Sequence, residues 1–191
     1  MSELQSEVSS REHTATWGSI SGLMDAGGSE NTFETKPGKA QALMRMHRLC
    51  RMLYLSHLHF LARLIDSAIR VLFAARIPAQ ANIDRTVHFS HNGLAVVVTK
   101  ESRIGPGCQI GTHVVLGSNW PEPGGPTLGS DVVIHCGAKI LGPITIGDGA
   151  VVAANAVVRT DIPPRCLAAG VPAAIKRENL DTERYRYPVI K

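Results

Sequence analysis

Aromatic residues are scarce. They make up 5% of the 191 residues, while hydrophobic residues as a whole make up 44%. That balance is enough for a core, but the core must be packed from small and branched aliphatics. No Cys-x-x-Cys pair occurs, because Cys50, Cys108, Cys136 and Cys166 lie far apart. This excludes a zinc ribbon and a thioredoxin-like motif. The cysteines read as reduced thiols of a cytosolic protein. Long apolar runs are missing too. The longest uncharged stretch near the helical region, Met52–Ala62, has eleven residues and holds His57 and His59, whereas a membrane span needs about eighteen. Met1–Ser10 is polar and acidic, unlike a secretory signal. Charge of one sign is not abundant either: 20 Lys+Arg against 16 Asp+Glu give +4 and a pI near 9.0. Nothing there calls for nucleic acid; a phosphate-bearing ligand or an anionic membrane surface fits as well. A mass of 20.5 kDa limits the chain to one domain, with at most a small appendage.

Three zones of composition follow one another. Residues 1–40 are rich in Ser, Gly, Thr and Glu and show no apolar period. They read as a flexible N-terminal arm, with Trp17, Ile20, Leu23 and Met24 as the residues that could anchor it. Residues 41–76 read as a helical segment. Met46, Leu49, Leu53, Phe60, Leu64, Ala68 and Val71 recur at spacings near three, four and seven. Tyr54, Leu58, Leu61, Ile65, Ile69 and Leu72 form a second stripe. So wide an apolar face wants two contacts, and Asp66–Ser67 could cap a second helix. Arg45, Arg48, Arg51, Arg63, Arg70 and Arg76 accompany a single acid, Asp66. They read either as a solvated face or as attraction to an anionic lipid or lipid-linked substrate.

The third zone repeats every six residues. An aliphatic or aromatic residue recurs at Ile77, Ile83 and Phe89, then at Ile104, Ile110 and Leu116, then at Leu128, Ile134, Ile140, Ile146, Val152 and Val158. The residue after it is often Gly, as at Gly105, Gly111, Gly117, Gly129 and Gly147. The fifth place is small or branched, as at Ala81, Cys108, Ala138 and Ala156. A period of six fits a short strand plus a turn, with two inward side chains per repeat. Such coils bury their faces only by stacking. Two interruptions break the register: one between Phe89 and Ile104, the other Ser118–Thr127. Loops extruded from repeat scaffolds often carry function.

These hexads resemble the hexapeptide-repeat acyltransferases, as do the strings His135-Cys-Gly-Ala-Lys-Ile-Leu-Gly-Pro-Ile-Thr-Ile-Gly147 and Ala168-Ala-Gly-Val-Pro-Ala-Ala174. Within them the resemblance is to the serine acetyltransferase branch, and there to the O-acetyltransferases of exopolysaccharide synthesis of the colanic-acid type. It implies a mainly β fold: a left-handed parallel β-helix over 77–175, preceded by the helical segment and followed by a C-terminal tail, 176–191. It also implies a homotrimer and acetyl-CoA as acyl donor.

The family's chemistry uses one histidine as general base, which takes a proton from the acceptor as it attacks the thioester. Phe89-Ser-His-Asn-Gly-Leu-Ala-Val-Val97 matches the family string around it, so the resemblance makes His91 the base and places Ser90 and Asn92 beside the substrate. His88 reads as an outward turn residue. His113 and His135 follow at equal intervals, but at different hexad places, so no metal is expected. Small residues at Cys136, Ala153 and Ala154 match positions that line the pantetheine arm. Lys139, Lys176 and Arg177 could meet the nucleotide phosphates of CoA. Cys136 is not expected to be a nucleophile.

The departures from the branch concern the acceptor. Serine acetyltransferases carry aspartates where Arg76 and Ser90 stand. They carry an Arg-His pair where this chain has Gly124-Gly125. A serine carboxylate wants such a cation, so the expectation is a saccharide hydroxyl, with Trp120 available to stack on a sugar ring. Serine acetyltransferase, amino-sugar N-acetyltransferase and a noncatalytic β-helix scaffold are the alternatives. The expected location is cytoplasmic, with peripheral membrane contact through the basic helices left open.

Overall fold

The structure, a computed structural model, describes residues 39–187. The expected arm, with Trp17, Ile20, Leu23 and Met24, falls outside them. Two helices come first, α1 (Lys39–Leu55) and α2 (His59–Phe73). The break between them is not where Asp66–Ser67 was expected to cap a new helix. Both of those residues lie inside α2. The chain turns instead at Ser56–Leu58, where His57 takes a left-handed φ of 60° and the Leu58 amide donates to the Leu53 carbonyl. α2 ends at Ala74, also left-handed. Leu43, Met44 and Ile69 are buried in the main core, while Cys50 and Ala62 form a smaller cluster with Ala79.

Four coils follow. The first holds β1 (Asn82–Ile83), β2 (His88–Phe89) and β3 (Val97–Val98). The second holds β4 (Arg103–Ile104), β5 (Gln109–Ile110) and β6 (Val115–Gly117). The third holds β7 (Thr127–Leu128), β8 (Val133–Ile134) and β9 (Lys139–Leu141). The fourth holds β10 (Thr145–Ile146), β11 (Val151–Val152) and β12 (Val157–Val158). Each strand pairs in parallel with the strand one coil away, giving three sheets along a prism. The hexad residue takes the same place in every strand: Ile83, Ile104, Leu128 and Ile146 are in register on one sheet, and Phe89, Ile110, Ile134 and Val152 on the next. On the third, Val98 pairs with Leu116. The slip after Phe89 is therefore an insertion at one corner, after which Val98 resumes the register. His88, expected as a turn residue, lies in β2 and is half-buried.

Two further strands close the fold. β13 (Leu167–Ala169) pairs in parallel with β11, and β14 (Ala174–Arg177) turns back antiparallel on β13. The expected boundary at 175/176 falls inside β14. The residues beyond it run along the outer face of the same sheet. Leu180 is buried against Val133 and Val151. Arg186 forms an ion pair with Asp131 at 3.1 Å, and the Tyr187 amide donates to Gln109 Oε1 at 2.7 Å. This cover explains why both residues of β5, β8 and β11 are buried.

Candidate active site

The corner that follows β2 differs from the others. Ser90–Gly93 forms a tight 3-10 turn, and His91, Asn92 and Gly93 stand in succession at φ 48°, 59° and 68°. Left-handed backbone is uncommon for residues other than glycine and tends to cluster at functional positions. The turn throws the His91 side chain into solvent and tucks Ser90 beneath it. Ser90 is 8% exposed, and its hydroxyl is buried without a hydrogen-bond partner. Ser90 was expected beside the substrate; in the structure its hydroxyl is closed off from solvent. Asn92 is half-buried on the same turn.

The strand register carries this corner up the prism. Because Phe89, Ile110, Ile134 and Val152 are aligned, the residues that follow them share one edge. His91 lies at its lower end, with Cys136 and Ala154 above, both exposed, and Ala153 half-buried. Backbone bonds tie the edge together: Gly137 N–H donates to Thr112 O, and Asn155 N–H to Cys136 O. The fold thus puts the expected base and three of the expected donor-side residues on one edge, with Cys136 two coils and Ala153 and Ala154 three coils above His91. Lys139 begins the strand after the edge and turns its ammonium onto the Gly137 carbonyl at 3.0 Å. Lys176 and Arg177 are exposed on β14, at the far end of the same sheet. Trp120 is not on this edge. It is 88% exposed in the loop between β6 and β7, on a different corner.

His135 lies on the edge as well, and sequence reasoning missed its partner. Its Nδ1 is 2.9 Å from the Tyr187 hydroxyl, with the rings edge to face. Burial lowers the pKa of His135 and of His88 below the ordinary value. The four cysteines are free. Cys136 alone among them is exposed, and burial pushes the Cys108 thiol up to about 11. Among the described residues, no group of three or more His, Cys, Asp or Glu stands where it could hold a metal ion.

Residues 125–160 match the family described as bacterial transferase hexapeptide (six repeats). A serine acetyltransferase of Helicobacter pylori (strain J99) is 36% identical over 129 residues, which cover 66% of this chain and 75% of that protein. The chain belongs to the hexapeptide-repeat acyltransferases, in the serine acetyltransferase type. The serine acetyltransferase of Bacillus pumilus is 35% identical over 135 residues, 70% of this chain and 62% of that one. The chain therefore spans about three-fifths of that relative's length. Among solved structures, the soybean serine acetyltransferase apoenzyme superposes with a TM-score of 0.67 at 38% identity, over 70% of this chain and 56% of that one. A Neisseria gonorrhoeae serine acetyltransferase in complex with serine gives 0.69 at 28% identity, over 73% and 57%. The coil is the left-handed parallel β-helix of these hexapeptide-repeat enzymes.

These findings overturn the expectation of a saccharide acceptor and of kinship to exopolysaccharide enzymes. The relatives and the solved structures named above are serine acetyltransferases. The physical error lay in reading Gly124-Gly125 as a sign of the acceptor. A Cβ on Gly125 would lie 2.6 Å from Thr99 Oγ1 and 2.9 Å from the Ser102 amide. In this chain the loop seats directly on the coil there, so its packing accounts for Gly125, and the glycine by itself carries no information about the acceptor.

Proposed function

We propose that this hexapeptide-repeat acyltransferase is an acetyl-CoA-dependent serine O-acetyltransferase, with His91 as general base. The observation that carries the reading is an exposed histidine on a left-handed turn, at the foot of an edge that carries Cys136, Ala153 and Ala154, in a chain 35% identical over 135 residues to the serine acetyltransferase of Bacillus pumilus and 36% over 129 to that of Helicobacter pylori. The acetyl thioester lies along the edge beside Cys136, Ala153 and Ala154, whose own side chains are no longer than a thiol. Lys139, Lys176 and Arg177 supply cations for the nucleotide phosphates. His91 takes the proton from the serine hydroxyl as its oxygen attacks the thioester carbonyl. The tetrahedral adduct collapses, the C–S bond breaks, and the CoA thiolate takes the proton back from the imidazolium. Asn92 flanks the acceptor, and the working unit is a homotrimer.

The test follows thiol release from acetyl-CoA with L-serine, beside His91→Ala. Release that depends on serine and falls about 10²–10⁴-fold in the variant supports the reading. Release with another hydroxyl or amine acceptor but not with serine overturns the acceptor. Unchanged release in His91→Ala overturns the base. The absence of any acetyl-CoA binding, read by calorimetry, overturns the enzyme reading as a whole.

A further inference from the structure

We propose that the outward faces of α1 and α2 dock the protein on an anionic lipid bilayer, lying in its interface. At about 100° per residue, Ala62 and Ile69 point into the protein, and Phe60, Leu64 and Val71 share the opposite side of α2. Phe60 is 74% exposed and Val71 82%, with Leu61 and Leu72 beside them. The turn before the helix adds exposed Leu58, and α1 adds Leu49, Met52 and Leu55. An apolar face this wide is unusual on a surface left to water.

Its charge indicates which partner covers it. Arg63 and Arg70 are exposed one helical step from the apolar sector of α2, and Arg45 and Arg48 are exposed on α1. Arg51 is already committed to the carbonyls of Ala79, Gln80 and Ala81. The single acid of the two helices, Asp66, is half-buried and lines a cavity between the helices and Pro78–Gln80 with Cys50, Tyr54 and His59; of the exposed arginines, Arg63 borders this cavity, whereas Arg45, Arg48 and Arg70 do not. The outward face therefore offers apolar groups and cations with no acid among them. A second copy meeting it across a two-fold axis would set arginine against arginine; a contact with a different face of a trimer partner is the alternative that the light-scattering outcome below decides. A bilayer with anionic headgroups accepts both components at once, the rings and aliphatics below the headgroups and the guanidiniums among them. No helix among the described residues is long and apolar enough to cross a membrane, so the pair lies on the surface.

The test is co-sedimentation of the full chain with phosphatidylcholine vesicles, without and with about 30% phosphatidylglycerol. Binding to the anionic vesicles that weakens as salt is raised supports the proposal. Phe60→Ser with Val71→Ser should lower the partition coefficient about tenfold or more, and Arg63→Gln with Arg70→Gln should lower it about tenfold at low salt. These side chains face solvent, so both variants should keep the far-ultraviolet circular dichroism of the parent. Three outcomes overturn the proposal: no binding to anionic vesicles, equal binding by parent and variants, or a smaller assembly of the Phe60/Val71 variant in light scattering. The last would give the face to a second copy. None of these readouts depends on acetyl transfer.

Discussion

Leu43 on α1 packs over Gly93, the last residue of the His91 turn, so closely that a Cβ on Gly93 would lie 2.7 Å from Leu43 Cδ2. Leu43 is fully buried and Gly93 has a φ of +68°. The helix thereby clamps the turn that presents the candidate base. Gly93→Ala meets both obstacles, left-handed strain and the leucine, and should cost about 1–3 kcal/mol of stability. Acetyl transfer should fall with it, because the turn shifts next to His91. Leu43→Ala opens the space at its own cost of about 2–4 kcal/mol. The double variant should lose less stability than the two singles added together. Thermal melts of the four proteins decide this, and strict additivity would show that the contact is not the constraint.

His47 makes the protein sensitive to acid. It is 1% exposed, and its Nε2 is 3.2 Å from the Pro78 carbonyl, so Nε2–H donates. Nδ1 is then a buried acceptor without a partner. Burial holds the imidazole below its ordinary value of 6.5, outweighing the opposite pull of the Pro78 carbonyl. The unfolded chain thus binds a proton that the folded chain refuses. Stability is complete above the unfolded value and is lost as pH falls below it. His88 and His135 are shifted by burial in the same direction. The melting temperature should drop between about pH 7 and about pH 5, and less steeply in His47→Gln. Equal slopes in the two proteins would remove His47 from the account.

Much of this was legible from the residues because a narrow coil leaves few choices. Ile83, Ile104, Leu128 and Ile146 must recur because each is the inward residue of one coil. Val98 escaped because three extra residues at one corner break the count without altering the stack. The site was legible where a motif carried it, as at His91. It was not legible where contacts join residues far apart in the chain. Gln109 and Tyr187 are 78 positions apart, and no period announces their pairing. The acceptor was misread because a glycine pair was taken as a lost cation site, whereas Gly125 is already accounted for by its packing against Thr99 and Ser102, a contact that sequence does not show.

Ser90 gives a direct test of how the base is oriented. Its hydroxyl is buried, without a partner, in the residue before His91. Ser90→Ala removes no hydrogen bond, so stability should hold or rise slightly. Ser90→Asp installs the acid that the resemblance to serine acetyltransferases implies at the position. A carboxylate beside an imidazole favours the protonated ring. The acid limb of the kcat/KM profile should therefore move to higher pH. An unmoved limb in a folded variant would mean that position 90 does not reach the base.

Tyr187 and Gln109 tie the C-terminal segment to the edge. Gln109 is 2% exposed and bonds both backbone groups of Tyr187, accepting from its amide at 2.7 Å and donating to its carbonyl at 3.3 Å. The Tyr187 ring then reaches His135, the neighbour of Cys136. Gln109→Leu should cost about 1–3 kcal/mol and speed proteolysis after Asn179. Tyr187→Phe keeps the ring and frees His135 Nδ1. If His91 is the base and this part of the edge holds the donor, Tyr187→Phe should raise KM for acetyl-CoA and leave kcat near the parent value. A loss confined to kcat, with the same loss in His135→Asn, would move the proton transfer to His135 and remove it from His91.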